Sequence, residues 1–301
     1  MPSILSTRIA NLLAYILVLV VNLSGFTGGL GPKNPTDAIS HPSLLVPARY
    51  AFAAWMPIHV FMTMFAIYQV IPFTYNLGFI NYSITPLFLI HCLCNVCWCL
   101  IVRLGKLPQF EAYAWIRIFF MAGLISSLLL SYFRTYNRIA MDLLHRSNSN
   151  KNFYLNFWFG RAWLSFYTSW VLYASAMDLF TCLNVAPTYG GFFAAKVVVL
   201  FLVAIVLIIV RSHQDVIFGA VFTWIMYWLS VRNSQNPDLQ LYRVAIVAGT
   251  SVFFLTLIAL ARNISFSIQR YKGNGSFTPY TREEIAPINP QRPSDAPSYM
   301  A

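Results

Sequence analysis

Long apolar runs separated by short polar breaks dominate the chain. They cover Ile9–Leu23, Tyr50–Ile71, Ile84–Leu104, Ala112–Phe133, Phe157–Leu183, Val197–Val210, Val216–Val231 and Val244–Ala261. A helix needs about 20 apolar residues to cross a bilayer, and most of these runs approach or reach that length. In lipid every backbone N–H and C=O must be satisfied within the protein, which a helix achieves inside one segment. The runs are continuous rather than alternating, so they do not fit the short two-faced strands of a membrane β-barrel. The pattern predicts an all-α, polytopic integral membrane bundle of about eight transmembrane helices.

The breaks organise this bundle. A Gly- and Pro-rich loop, Gly25–Pro47, follows the first run. That run has no A-x-A-like cleavage site, so it reads as a retained anchor rather than a signal peptide. Pro47 starts the second helix, and an internal Pro57 is expected to kink it. Pro86 falls in the first turn of the third. Arg134–Asn152 reads as a polar linker, and Arg211-Ser-His213-Gln-Asp215 as a tight hairpin between the sixth and seventh helices. From Arg262 onward prolines recur at 279, 287, 290, 293 and 297 among polar residues. Such a segment cannot bury a core. The expected organisation is therefore a bundle over 1–262 and a disordered cytoplasmic tail over 263–301.

Composition agrees with lipid as the solvent. Of 301 residues 58% are hydrophobic and only 10% charged, and mean hydropathy is +0.62. Soluble domains carry roughly 25% charged residues. The net charge of +11 does not point to nucleic acid, because Lys and Arg stand singly at the ends of apolar runs, as membrane proteins place them. Part of the excess is expected to face anionic lipid headgroups. With eight helices, Arg8, Arg134, Arg138, Arg146, Lys151, Arg211 and the basic tail share one side. Lys33, Arg49, Arg103, Lys106, Lys196, Arg232 and Arg243 share the other. The bias predicts that both termini are cytoplasmic.

Three stretches carry a family resemblance. The first is Pro47-Ala-Arg-Tyr50-Ala-Phe52-Ala-Ala-Trp55-Met-Pro57-Ile-His59, ending in Ala66-Ile-Tyr68-Gln69-Val-Ile-Pro72. The second is Arg161-Ala-Trp163-Leu-Ser-Phe-Tyr167-Thr-Ser-Trp170-Val-Leu-Tyr-Ala174-Ser-Ala-Met-Asp178. The third runs from Asp215 to Trp224 and on through Ile225-Met-Tyr227-Trp228. Together they resemble the translocator protein/tryptophan-rich sensory protein superfamily, particularly its longer members. The family's Gly before the second Trp of the fifth helix is Ser169 here, its Thr is Ser175 and its Asn is Asp178. Its Trp-Ala-Leu is Trp224-Ile-Met. The resemblance implies a helical bundle whose aromatic-lined pocket binds flat apolar molecules such as sterols or porphyrins.

Candidate chemistry is sparse. Asp178 is an ionisable group inside a membrane helix, and such groups face the bundle interior or a cavity. Arg117 lies at a similar depth in the fourth helix, so an ion pair, a ligand contact and an exposed interfacial position are all open to Asp178. His59, near the bilayer midplane, and His91 suit hydrogen bonds between helices, or a ligand or proton-handling role. Trp55, Trp98, Trp115, Trp163, Trp170, Trp224 and Trp228 belong to an interfacial belt, line a pocket or pack between helices. The ligand-binding set expected is Trp55, His59, Trp170, Asp178 and Trp224. His91, Cys92, Cys94, Cys97 and Cys99 resemble a metal site in spacing alone, because on one helix they point to different faces. No metal and no cofactor is expected. There is no nucleotide-binding loop, which excludes an ATP-driven pump in this chain.

These features predict a membrane-embedded binding or sensory protein for a flat apolar small molecule of sterol, porphyrin or terpenoid type. Its partners are that molecule and membrane lipid. A second reading is an integral-membrane enzyme, such as a terpene cyclase of fungal-type secondary metabolism, with Asp178 or Asp215 protonating an alkene or epoxide among aromatic faces. A third is a secondary transporter, against which stands the lack of a repeat relating two halves.

Overall fold

The computed structural model describes residues 4–26, 44–71, 84–104, 114–145, 156–185, 188–234 and 240–271. Among these are eight α-helices: α1 (Ile4–Phe26), α2 (Trp55–Tyr68), α3 (Thr85–Leu104), α4 (Ala114–His145), α5 (Ala162–Cys182), α6 (Tyr189–His213), α7 (Val216–Asn233) and α8 (Leu241–Tyr271). The chain divides into two compact units, Met1–Leu260 and Ala261–Ala301. The first is the bundle. In the second, the described residues are the last turns of α8. Of the segment expected from composition to form a disordered tail, 263–301, residues 263–271 continue α8 and residues 272–301 lie outside the described residues.

Among the described residues, six segments are long and apolar enough to cross a membrane: Leu5–Ser24, Arg49–Tyr68, Trp115–Asn137, Tyr189–His213, Val216–Asn233 and Leu241–Ser265. α3 adds a shorter apolar stretch, Pro86–Val102. α5 falls below that hydropathy for a physical reason. It is the central helix and packs on α2, α4, α6 and α7. Its neighbours shield Ser165, Thr168, Ser169 and Asp178, all buried, so the helix can carry polar groups that lipid would reject.

Several boundaries differ from those read along the sequence. Arg49–Ala54 forms a 3-10 turn, and α-helix begins only at Trp55. Pro57 therefore lies just past the change from 3-10 to α geometry, within the continuous apolar span Arg49–Tyr68. α4 runs on to His145 and takes up much of the segment read as a polar linker. α8 continues ten residues past Ala261. Once packing has set a helix going, adding a residue costs little, and polar side chains leaving the bilayer do not stop it.

Arg8, counted along the sequence only as a cytoplasmic-side charge, is wholly buried, and its guanidinium donates to the Gln69 carbonyl at the C-terminal end of α2. Asn11 Nδ2 donates to Gln69 Oε1 at 3.1 Å. A cation placed there meets the negative end of the helix dipole. α1 is thus a member of the bundle, packed on α2 and α3. At the other flank α7 meets α8 closely. A Cβ on Gly219 would lie 2.1 Å from Thr256 Oγ1, so only glycine admits the neighbouring helix there.

Candidate functional site

Trp163, Tyr167 and Trp170 recur on α5 at helical spacing, so they share one face. The rings they meet come from three other helices. Trp55 of α2 stacks on His59 one turn along, at 5.4 Å between centroids, and lies 6.1 Å from Tyr167. Tyr167 lies 6.1 Å from His91 of α3. His91 lies 4.6 Å from Phe88, Phe88 lies 6.4 Å from Tyr15 of α1, and Tyr15 lies 6.4 Å from His59. Six rings from four helices thus close a loop: Trp55, His59, Tyr15, Phe88, His91, Tyr167. Trp170 flanks it, 5.9 Å from Trp55 and 5.5 Å from Phe52. Trp163 packs behind it against Phe65, Phe88 and His91.

Polar contacts hold the loop's corners. The Tyr15 hydroxyl donates to the His59 carbonyl at 2.7 Å and lies 2.8 Å from the Thr63 hydroxyl. Asn95 Nδ2 donates to the Tyr167 hydroxyl at 2.8 Å, and Asn22 Nδ2 donates to Asn95 Oδ1 at 3.0 Å. Cys99 Sγ donates to Asn22 Oδ1 at 3.6 Å. This thiol is packed into an interhelical network. Cys94 lies against Gly123, where a Cβ would come within 2.9 Å of its sulfur.

Asp178 forms an ion pair with Arg117, Oδ1 to Nη2 at 2.8 Å, and accepts from Trp98 Nε1 at 3.1 Å. The pair joins α5 to α4, and both side chains are largely buried, at 15% and 6% exposure for Arg117 and Asp178. Asp178 stands eleven residues beyond Tyr167, roughly 16 Å further along α5.

Asp215 caps α7, accepting from the Phe218 backbone N–H at 3.0 Å through Oδ1. Its Oδ2 accepts from Ser165 at 2.6 Å and Tyr132 at 2.8 Å, and pairs with Arg161 Nη2 at 3.4 Å. Burial pushes this carboxyl up, but Arg161, Ser165, the Phe218 N–H and Tyr132 together outweigh burial and hold it below the usual carboxylate range. A carboxylate held this way is a poor proton donor. Ser165 also projects about 200° around α5 from Tyr167, so Asp215 sits on the side of α5 away from the ring loop.

The residues singled out along the sequence therefore separate into groups. Trp55, His59 and Trp170 come together. Asp178 joins Arg117 and Trp98 well along α5. Trp224 is 40% exposed, donates from Nε1 to the Ala51 carbonyl at 3.2 Å and packs on Trp228. It clamps the chain entering α2, helped by the Ala48 N–H donating to the Trp228 carbonyl at 3.0 Å. Tyr15, Phe88, His91 and Tyr167 were not in the expected set, although His91 had been weighed for a ligand role. Tyr167 was legible from its spacing to Trp163 and Trp170. Tyr15 and Phe88 carry no local mark that separates them from other apolar-run residues.

Across the whole chain, no curated protein and no solved structure matches. A family model described as TSPO-like protein matches residues 8–261. That span takes in every helix that supplies the ring loop, and the chain belongs to the TSPO-like protein family.

Proposed function

We propose that the protein is a membrane-embedded binding or sensory protein for a flat apolar small molecule of sterol, porphyrin or terpenoid type. The observation that carries this reading is the closed loop of six rings from α1, α2, α3 and α5. Aromatic faces gain roughly 0.5–1.5 kcal/mol per ring contact beyond simple area burial, and a loop of them suits a planar guest. Membership of the TSPO-like protein family supports the same reading. Asp178 and Asp215 are each engaged by cationic and neutral donors away from the loop, so the binding reading leaves them structural work.

Protoporphyrin IX is a suitable planar probe. Quenching of tryptophan fluorescence in the detergent-purified protein should show saturable binding. Trp55→Leu and Trp170→Leu should each weaken it about three- to ten-fold, as the loss of one or two ring contacts predicts. Unchanged affinity in both variants, with melting temperatures intact, would remove the ring loop from the function.

The proposed orientation places both termini in the cytoplasm. Asn263-Ile-Ser265 and Asn274-Gly-Ser276 are glycosylation sequons that the modifying machinery would then never meet. Expression in a eukaryotic host should yield a chain whose mobility does not change on glycosidase treatment. A shift abolished by Asn274→Gln would reverse the orientation.

A further inference from the structure

The ring loop contains polar atoms that a hydrocarbon guest would leave unsatisfied. Both ring nitrogens of His59 are shielded from solvent and meet no hydrogen-bond partner among the described residues. The same holds for His91, which is wholly buried. Its ring approaches the Leu87 carbonyl one turn back without reaching hydrogen-bond geometry. Trp163 Nε1, beside His91, is likewise unmatched. A neutral imidazole carries one N–H donor and one acceptor nitrogen, and an indole carries one donor. His59, His91 and Trp163 thus hold one unanswered donor each. A buried donor left unmade costs roughly 1–3 kcal/mol, and unsatisfied N–H groups are the rarer kind in native proteins.

The positions of the donors are as informative as their number. Around the loop, His59 and His91 stand opposite one another. Trp55 and Tyr167 separate them on one side, Tyr15 and Phe88 on the other. A planar molecule seated among these rings would meet an imidazole at each of two opposite edges. No Lys, Arg, Asp or Glu belongs to the loop, so its complement is neutral.

We infer that the natural ligand is a planar ring system bearing carbonyl oxygens at opposite edges, of the quinone or polycyclic diketone class, with one carbonyl accepting from His59 and the other from His91 or Trp163. This deepens the binding role proposed above and rests on it. Two carbonyls add acceptors without charge, so the molecule still partitions into lipid. A sterol, with one hydroxyl at one end of its skeleton, would answer a single imidazole and leave the other stranded.

The test uses a matched pair of probes, 9,10-anthraquinone and anthracene, which share a tricyclic skeleton and differ in the two opposed carbonyls. Equilibrium dialysis of the full chain in detergent micelles against protein-free micelles cancels partition into detergent. The wild type should bind the quinone at least ten-fold more tightly than the hydrocarbon. His59→Phe and His91→Phe should each cut that preference below about three-fold. His59→Gln, which restores a donor, should retain most of the preference. Melting temperature reports whether each variant folds. Equal affinity of the wild type for both probes would overturn the inference, and would mean that water satisfies the imidazoles. A preference that survives both Phe replacements in folded protein would overturn it too. Binding of neither probe to folded wild type would defeat the binding role itself along with this deeper reading.

Discussion

Asp178→Asn is expected to destabilise the detergent-purified protein by about 3–5 kcal/mol, the usual cost of removing one partner from a buried pair. The loss comes less from the missing attraction than from what remains. Arg117 is largely buried, and its counter-ion lies at 2.8 Å. With Asp178 neutral, the guanidinium keeps its charge and has no carboxylate to offset its desolvation. Adding Arg117→Gln removes the stranded charge, so the double variant should recover much of the lost melting temperature. This non-additivity is the signature of direct coupling. The opposite pattern would identify Asp178 as a ligand contact. In that case the single variant would melt normally but lose probe binding, and the second change would restore nothing.

Asp215→Ala should also be severe, by about 3–5 kcal/mol, because one side chain holds three elements together. Its Oδ1 caps α7, and caps are worth about 1 kcal/mol. Its Oδ2 collects Ser165 from α5, Tyr132 from α4 and the Arg161 guanidinium. Asp215→Asn keeps an oxygen for the cap and loses the charge, so it should fall between wild type and Asp215→Ala. pH separates the charge from the rest. The folded carboxyl is held below its ordinary value by Arg161 and its hydrogen-bond donors despite burial. The ionised group therefore contributes its stability fully above the unfolded value of about 3.9 and loses it as pH falls through the lower folded value. Melting curves should show a constant gap between wild type and Asp215→Asn above about pH 5 that narrows only in stronger acid. A gap that closed between pH 6 and 8 would mean the carboxyl is not held low.

Both predictions concern residues first considered for chemistry, and both residues prove to join helices. In a bilayer this is the economical use of a charge. No hydrophobic force drives helix onto helix in lipid, so polar contacts and close packing do that work. Arg117–Asp178 ties α4 to α5, Asp215 ties α4, α5 and α7, and Arg8 ties α1 to the end of α2. The aromatic loop lies among the helices these contacts position.

The sequence by itself determined the solvent, the helical class and the rough count of helices, because long apolar runs admit few other structures in lipid. It also contained whatever lies within one helix. Trp55 and His59 stack because they are four residues apart, and Trp163, Tyr167 and Trp170 share a face because of their spacing. Shared depth in two spans offered the Arg117–Asp178 pair as one open reading, and the structure shows it. Asp215 before Val216 was a legible cap signal, but its three other partners, Tyr132, Arg161 and Ser165, came from elsewhere in the chain. Only the tertiary structure decided which faces oppose. Nothing local distinguishes Tyr15 or Phe88 from the apolar residues around them, and nothing local shows that Arg8 is buried or that Trp224 clamps Ala51. These outcomes depend on the rotation of each helix about its axis. That rotation is set by contacts between residues far apart in the chain, such as Gly219 against Thr256, and a single sequence does not encode such contacts in any periodic form.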